Sequence, residues 1–166
     1  MDAMDPSENP NYNAIVKRLG LSQTQLAQAA EFTNSKYPNI NLEFDLENPD
    51  AITAGTPAYI SVKIERDLDE DEQPADAVHA PFYPSKKMEI WWLVVGEEST
   101  KTLLAIKRIT IGKSLNVRLE YTVPTAGEHD LKLFLMSDSY VGVDQDPGFK
   151  VTAREGADEM DEDEDD

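Results

Sequence analysis

The run Ile111-Gly112-Lys113-Ser114 has the residue types with which a phosphate-binding loop ends. Such a loop cradles phosphate oxygens with successive backbone N–H groups. It needs an earlier glycine, five residues before Gly112, and a helix after the hydroxyl. That earlier position is Lys107 and strand-like alternation comes after Ser114, so a hairpin turn is expected instead. A second chemistry lies in the acids. Asp67, Asp69, Asp71 and Glu72, with Asp138, Asp144 and Asp146 further along, offer the oxygens that calcium takes on the loops of some β-sandwiches. Calcium needs about six oxygen ligands from a defined loop, and the 67–72 run lacks the glycine and distal glutamate of a helical calcium loop. A solvated acidic loop is the simpler expectation, with Asp138 and Asp144 bonding backbone amides. His79 and His129 fall in no metal-ligand spacing, and no Ser or Cys arrangement marks a nucleophile. Cysteine is absent, which removes disulfides and thiolate metal sites. The catalytic, cofactor-binding and metal-binding sets are therefore read as empty, and the chain as non-catalytic. Residue types alone leave the partner-binding residues unknown.

Two further groups of residues bear on binding. Trp91 and Trp92 are adjacent, so on a strand one enters the core and the other faces outward. The outward ring is expected to pack beneath a neighbouring helix or loop, the preceding helices first, or else to serve as an anchor for a partner. Lys86, Lys87, Lys101, Lys107, Arg108, Lys113 and Arg118 are spread over several strands and turns. Spread cations are ordinarily solvating; if they gathered on one surface, direct RNA contact would be implied, a weaker expectation.

The formal net charge is −18 over 166 residues. Residues 155–166 hold nine acids and residues 67–76 hold six, with no base in either stretch. Without them acids and bases nearly balance. The acidity belongs to one loop and one tail, and it is no argument about the body's partners. The most apolar run, Ile90 to Val95, is far too short to span a membrane, and the acidic start at Met1 to Pro10 does not suit a signal or transit peptide.

These residues must be positioned by elements that the periodicity predicts. Asn13 to Leu19 has helical spacing and stops at Gly20. Ser22 with Gln25 forms a capping-box pattern opening a second helix, whose apolar face is Leu26, Ala29, Ala30 and Phe32 and which Pro38 closes. Two short helices make no core alone. They are expected to lean on the domain after them or to be the end of a larger helical region. From Ile40 the period becomes two. Strands are predicted at Ile40 to Glu47, around Ile60 to Ile64, at Met88 to Gly96, Thr102 to Ile111, Leu115 to Val123, His129 to Met136 and Phe149 to Ala153. Met88 to Gly96 reads as a strand covered on both faces. The expected fold class is mostly β: a seven-stranded antiparallel immunoglobulin-like sandwich over residues 39–154, preceded by two short helices within 1–38 and succeeded by a disordered acidic tail, 155–166. The long charged loop at Asp67 to Ala80 is expected to be mobile.

The strongest single segment is Phe134 to Gln145, the end of a strand running into a polar corner. Its stretch Ser137-Asp138-Ser139-Tyr140-Val141-Gly142-Val143-Asp144-Gln145 resembles the signature near the end of the Sec-sixty-three homology module. Ala80-Pro81-Phe82-Tyr83-Pro84 with the later Trp91-Trp92, the strand Leu104 to Thr110, and the joint Tyr37-Pro38-Asn39-Ile40 are similar to the same family. The module occurs in tandem-cassette DExH RNA helicases and in an endoplasmic-reticulum translocation cochaperone. The combination Ile106-Lys107-Arg108, Phe134 to Asp138 and a short acidic end resembles the spliceosomal branch. The resemblance implies an immunoglobulin-like, fibronectin-type-III-like end that acts as a non-catalytic C-terminal scaffold and protein-interaction module of an ATP-dependent RNA helicase in the nucleus. Its implied partners are spliceosomal proteins and the parent's helicase cassette. No membrane and no cofactor are implied, and a monomer is expected. The alternative is the equivalent module of the translocation cochaperone. No family catalytic residue falls on this sequence.

Overall fold

The computed structural model describes residues 10–156, with side chains described from residue 14. The backbone divides into two compact units, and the division falls between Tyr37 and Pro38.

The first unit holds two helices. Helix α1 spans Pro10–Leu19 and ends where Gly20 takes φ +63° while its N–H returns to the Val16 carbonyl at 3.1 Å. That left-handed turn is a usual helix stop and suits glycine, which has no Cβ to clash. Helix α2 spans Gln23–Ser35. The expected capping box is present: Gln25 N–H donates to Ser22 Oγ at 3.3 Å and Ser22 N–H donates to Gln25 Oε1 at 2.9 Å. Two N–H groups with no partner inside the helix are thereby satisfied. At the other end Lys36 and Tyr37 both donate to the Phe32 carbonyl, and the Phe32 and Tyr37 rings lie 6.1 Å apart.

The second unit is a sandwich of two antiparallel sheets. Strands β1 (Ile40–Leu46), β2 (Pro57–Arg66) and β5 (Ser114–Thr122) form one sheet in the order β1-β2-β5. Strands β3 (Trp91–Glu97), β4 (Thr102–Ile109), β6 (Gly127–Ser137) and β7 (Gly148–Ala153) form the other in the order β4-β3-β6-β7. The seven predicted strands are thus present, in two layers, as their alternation requires. Every second residue points inward, so Phe44, Val62 and Val117 form one inward row, and Leu42, Ile64 and Leu115 the next. Opposite them stand Leu131, Leu133 and Leu135 of β6 with Trp91, Leu93 and Val95 of β3. Ile60, Ile64, Trp91, Leu93, Val95 and Leu133 are wholly buried. Burial on this scale, at about 1.5–3 kcal/mol per large side chain, is what offsets the chain entropy lost on folding. Phe149 of β7 bridges the sheets, with its ring 5.6 Å from Phe44 and 6.3 Å from Tyr121.

Two expectations need correction. The turn at Ile111 to Lys113 closes no hairpin. β4 and β5 belong to different sheets, so this segment crosses from one layer to the other, with Ile109 and Ile111 both buried along the way. The strand predicted to open at Met88 opens at Trp91. Glu89 turns its carboxylate to Arg66 and Trp91, and the Ile90 N–H donates to the Asp138 carboxylate while the Ile90 carbonyl accepts from the Asp138 N–H, so residues 89–90 are spent on these ties rather than on a ladder.

Candidate interaction surface

The outer face of the three-stranded sheet is polar and carries a network of ties among its own side chains. Arg118 donates from Nε and Nη2 to the Glu47 carboxylate at 2.9–3.1 Å, and its guanidinium carbon lies 3.5 Å from the centre of the Tyr59 ring. Ser61 Oγ donates to the same carboxylate at 2.8 Å, and Tyr59 Oη donates to Glu120 at 2.9 Å. The Arg118 fork and the Ser61 hydroxyl hold the Glu47 carboxyl below its usual range. The Glu120 carboxylate pushes the Tyr59 hydroxyl up.

The outer face of the four-stranded sheet is divided. Toward β7 it is charged and paired: Lys132 lies 3.0 Å from Glu98 and 3.1 Å from Asp146, and Lys150 lies 3.3 Å from both Glu128 and Asp130. Toward β4 it is apolar. Strand register sets Trp92 between Arg108 and Met136, Val94 between Ile106 and Phe134, and Gly96 between Leu103 and Lys132. Residues paired across strands share a face, so these three rows form one continuous surface. Gly96 allows it to close: a side chain here would stand 3.2 Å from the Thr102 carbonyl oxygen and 3.8 Å from the Phe134 ring. Val94 is covered by its neighbours, but Trp92, Leu103 and Ile106 are 37%, 59% and 56% exposed. β3 is therefore covered fully on its inner face and only in part on its outer one, short of the expectation for Met88 to Gly96. Contiguous exposed apolar side chains of this kind mark binding surfaces more often than isolated ones do.

The expected cationic set does not gather. Lys87 pairs with Asp138 at 2.6 Å, Lys86 with Asp76 at 3.8 Å, and Arg118 is locked on the opposite sheet. Lys101, Lys107 and Arg108 lie on or beside β4, next to the apolar rows, and none of them forms an ion pair among the described residues.

The remaining candidates are spent on structure. Ser114 after Gly112-Lys113 opens β5, so no helix N-terminus faces a phosphate there. Asp144 accepts from Ser137 N–H at 2.9 Å and Asp138 from Ile90 N–H at 3.4 Å, as expected of backbone-bonding acids. Asp67 accepts from Asn39 Nδ2 at 3.1 Å, and Asp146 is held by Lys132. Among the described residues no three His, Asp or Glu side chains gather as a metal site would need. His129 is buried, with Nδ1 3.1 Å from Glu97 Oε1 and Nε2 2.8 Å from the Thr125 carbonyl oxygen. It ties the turn before β6 to the end of β3. His79 N–H donates to Tyr140 Oη at 2.9 Å, and Val78 N–H donates to the Lys87 carbonyl, so the long acidic connection is tethered at its far end. The polar corner is a tether too: Gln145 exchanges two backbone bonds with Leu135, and its Nε2 donates to the Ile40 carbonyl at 2.7 Å, joining the two sheets. The acidic tail after Gly156 lies outside the described residues.

Residue type alone does not single out Leu103, Ile106, Phe134 and Met136. The signal in the chain is weak: β4 contains no acid in a protein with 33 of them, and its apolar residues do not alternate cleanly.

A seven-stranded two-sheet sandwich whose Glu47, Glu89, His129, Asp138 and Asp144 are engaged in ties, with an apolar patch on one outer face, defines a β-sandwich module of the immunoglobulin-like kind. The chain belongs to the Sec63 Brl domain family, whose family model matches residues 7–150. It is 42% identical over 140 residues to the pre-mRNA-splicing factor brr2 of Schizosaccharomyces pombe, covering 84% of this chain and 6% of that protein. It is 35% identical over 156 residues to the human U5 small nuclear ribonucleoprotein 200 kDa helicase, covering 94% of this chain and 7% of that one. A Dictyostelium discoideum activating signal cointegrator 1 complex subunit 3-like protein is 36% identical over 141 residues, covering 81% of this chain and 6% of its own length. The chain thus spans a small fraction of the relatives it matches, and the family resemblance drawn from its motifs is borne out. Among the described residues no helix is long and apolar enough to cross a membrane.

Proposed function

We propose that this chain is a non-catalytic scaffold and protein-interaction module at the C-terminus of a spliceosomal ATP-dependent RNA helicase, working in the nucleus. The likeness of 35–42% to splicing helicases over most of the chain carries the reading. The physical chemistry agrees with it. His129, Glu89, Asp138 and Asp144 are engaged in holding turns and strands together, whereas apolar side chains are displayed on part of one sheet face. The module contributes a rigid surface, and the parent's ATP-dependent work belongs to the rest of the parent. The homologous helicases favour this over the translocation cochaperone, whose upstream sequence would carry membrane spans and a J-domain instead of helicase cassettes.

Affinity capture from nuclear extract tests the reading. The immobilised 166-residue chain, with and without residues 161–166, is expected to retain U5 particle proteins above a bead control. Recovery of translocon components from a membrane extract, with no splicing protein from the nuclear one, would overturn it.

A further inference from the structure

The sandwich has four edge strands: β1 and β5 in one sheet, β4 and β7 in the other. Among the described residues each edge has a row of backbone groups that no neighbouring strand pairs, and proteins ordinarily protect such rows. β1 carries Glu43 and Asp45 on its outer face, and on the outer face of β5 Arg118 and Glu120 are tied to Glu47 and Tyr59. β7 is flanked by the 52–54 segment, through the Thr53–Arg154 bridge and backbone bonds from Ala54 and Arg154. β4 is different. Among the described residues it pairs only with β3; it contains no acid and presents Leu103 and Ile106 to solvent. Arg108 flanks them on the same face, Lys107 falls in register with Leu93 on the other face, and Lys101 stands just before the strand.

We propose that β4 is a docking edge for an extended acidic and apolar segment of a partner protein, which pairs with it as a fifth strand of the sheet. The inference rests on the reading of the chain as an interaction module. Strand addition takes affinity from main-chain hydrogen bonds and specificity from alternate side chains. Here the partner residues beside Leu103 and Ile106 are apolar and extend the surface centred on Trp92 and Val94. Those beside Lys107 and Arg108 are Asp or Glu, supplying the carboxylates that these cations lack among the described residues. Charge on an edge strand can also serve only to repel other strands. A purely protective edge has no use for two large aliphatic side chains facing solvent. RNA would use the cations and could stack on Trp92, but it leaves the aliphatics uncovered and gains nothing from the strand edge.

The test uses the 166-residue chain and a fluorescein-labelled synthetic peptide with Val and Leu at the positions that fall beside Leu103 and Ile106 and Glu at the two adjacent positions that fall beside Lys107 and Arg108. Anisotropy should rise to saturation, and amide shifts in an ¹⁵N spectrum should concentrate at 101–109. A peptide N-methylated at alternate amides, which cannot pair as a strand, should fail, as should one with Lys in place of Glu. The double variant Lys107→Glu with Arg108→Glu should bind the acidic peptide at least about tenfold more weakly while keeping the wild-type melting temperature within error. Ile106→Ser should weaken it in the same direction. The proposal is overturned by failure to saturate, by shifts elsewhere, or by equal binding of the methylated peptide. It is equally overturned by a single-stranded RNA oligomer that takes the β4 edge in preference to the peptide, or by self-association of the chain through β4. Capture from nuclear extract separates the two levels. If wild type and double variant retain the same splicing proteins, the edge is wrong and the module reading stands. If wild type retains none, the module reading falls, and the peptide titration still decides the edge.

Discussion

Arg66 and Glu89, twenty-three residues apart, meet as an ion pair inside the sandwich, their side chains 7% and 9% exposed. The same guanidinium donates to the carbonyls of Ile111 and Gly112, and the same carboxylate oxygen accepts the Trp91 indole N–H at 2.7 Å. One pair therefore ties the end of β2, the entry to β3 and the crossing between the sheets. Two charges taken from water are costly unless each is well partnered, and here each has more than one partner. Removing one partner strands the other. Glu89→Ala or Arg66→Ala is expected to lose about 3–5 kcal/mol of stability, read from urea denaturation midpoints. The double substitution Arg66→Met with Glu89→Leu should recover a large part of that loss. A double variant as unstable as the summed singles would refute the coupling.

Much of this architecture is legible in the chain, and the pair shows where legibility stops. Leu115 to Val123 alternates so cleanly that β5 can be read from it, and Ser22 with Gln25 announces the cap of α2. Both signals are local: a strand face or a capping box needs residues only a few positions apart. Which sheet a strand joins is set by contacts distant in sequence, so the Ile111 to Lys113 turn has the look of a hairpin although it crosses between layers. Glu89 is the sole charge within the apolar run Met88 to Val95. That isolation is a hint of a buried partner, and nothing in the sequence points to Arg66. The apolar surface on β3, β4 and β6 is hidden for a similar reason, since it exists only once three strands lie side by side.

Asp138 gives the acid limb of stability. Burial pushes its carboxyl up, but Lys87 at 2.6 Å, the Ser139 hydroxyl and the Ile90 N–H outweigh it and hold it below its usual range. A carboxyl depressed in the folded state contributes stability above its unfolded value of about 4. That contribution is lost as pH falls through the folded value. Asp138→Asn should therefore lower stability at pH 7, and its gap to wild type should shrink as pH falls below about 4. Thermal melts across that range would show it; a gap that stays constant with pH would contradict the assignment.

Gly142 sits in the polar corner at φ +86°. Residues with a Cβ lose roughly 1–2 kcal/mol in the left-handed region, so Gly142→Ala should destabilise by about 1 kcal/mol. Asn, which tolerates this region better, should cost less. Denaturant midpoints for the two variants would rank them, and an alanine variant as stable as wild type would count against strain at this position.

Tyr121 reverses the usual expectation for a buried polar group. Its side chain is 1% exposed on the inner face of β5, and its hydroxyl has no hydrogen-bond partner among the described residues. Burial pushes its pKa up, so the hydroxyl stays neutral across the ordinary pH range. Its ring stands edge-on to Phe149, a packing contact that needs no hydroxyl. A buried donor without an acceptor costs about 1–3 kcal/mol relative to a satisfied one. Removing it leaves the ring contact and deletes that cost, so Tyr121→Phe should be neutral or stabilise by about 1 kcal/mol. Tyr121→Leu should instead lose stability, because the contact with Phe149 goes with the ring. Urea melts of both variants separate the two contributions. A loss above about 1 kcal/mol in the phenylalanine variant would show that the hydroxyl has a partner in solution and that the inner face of β5 is more polar than its packing implies.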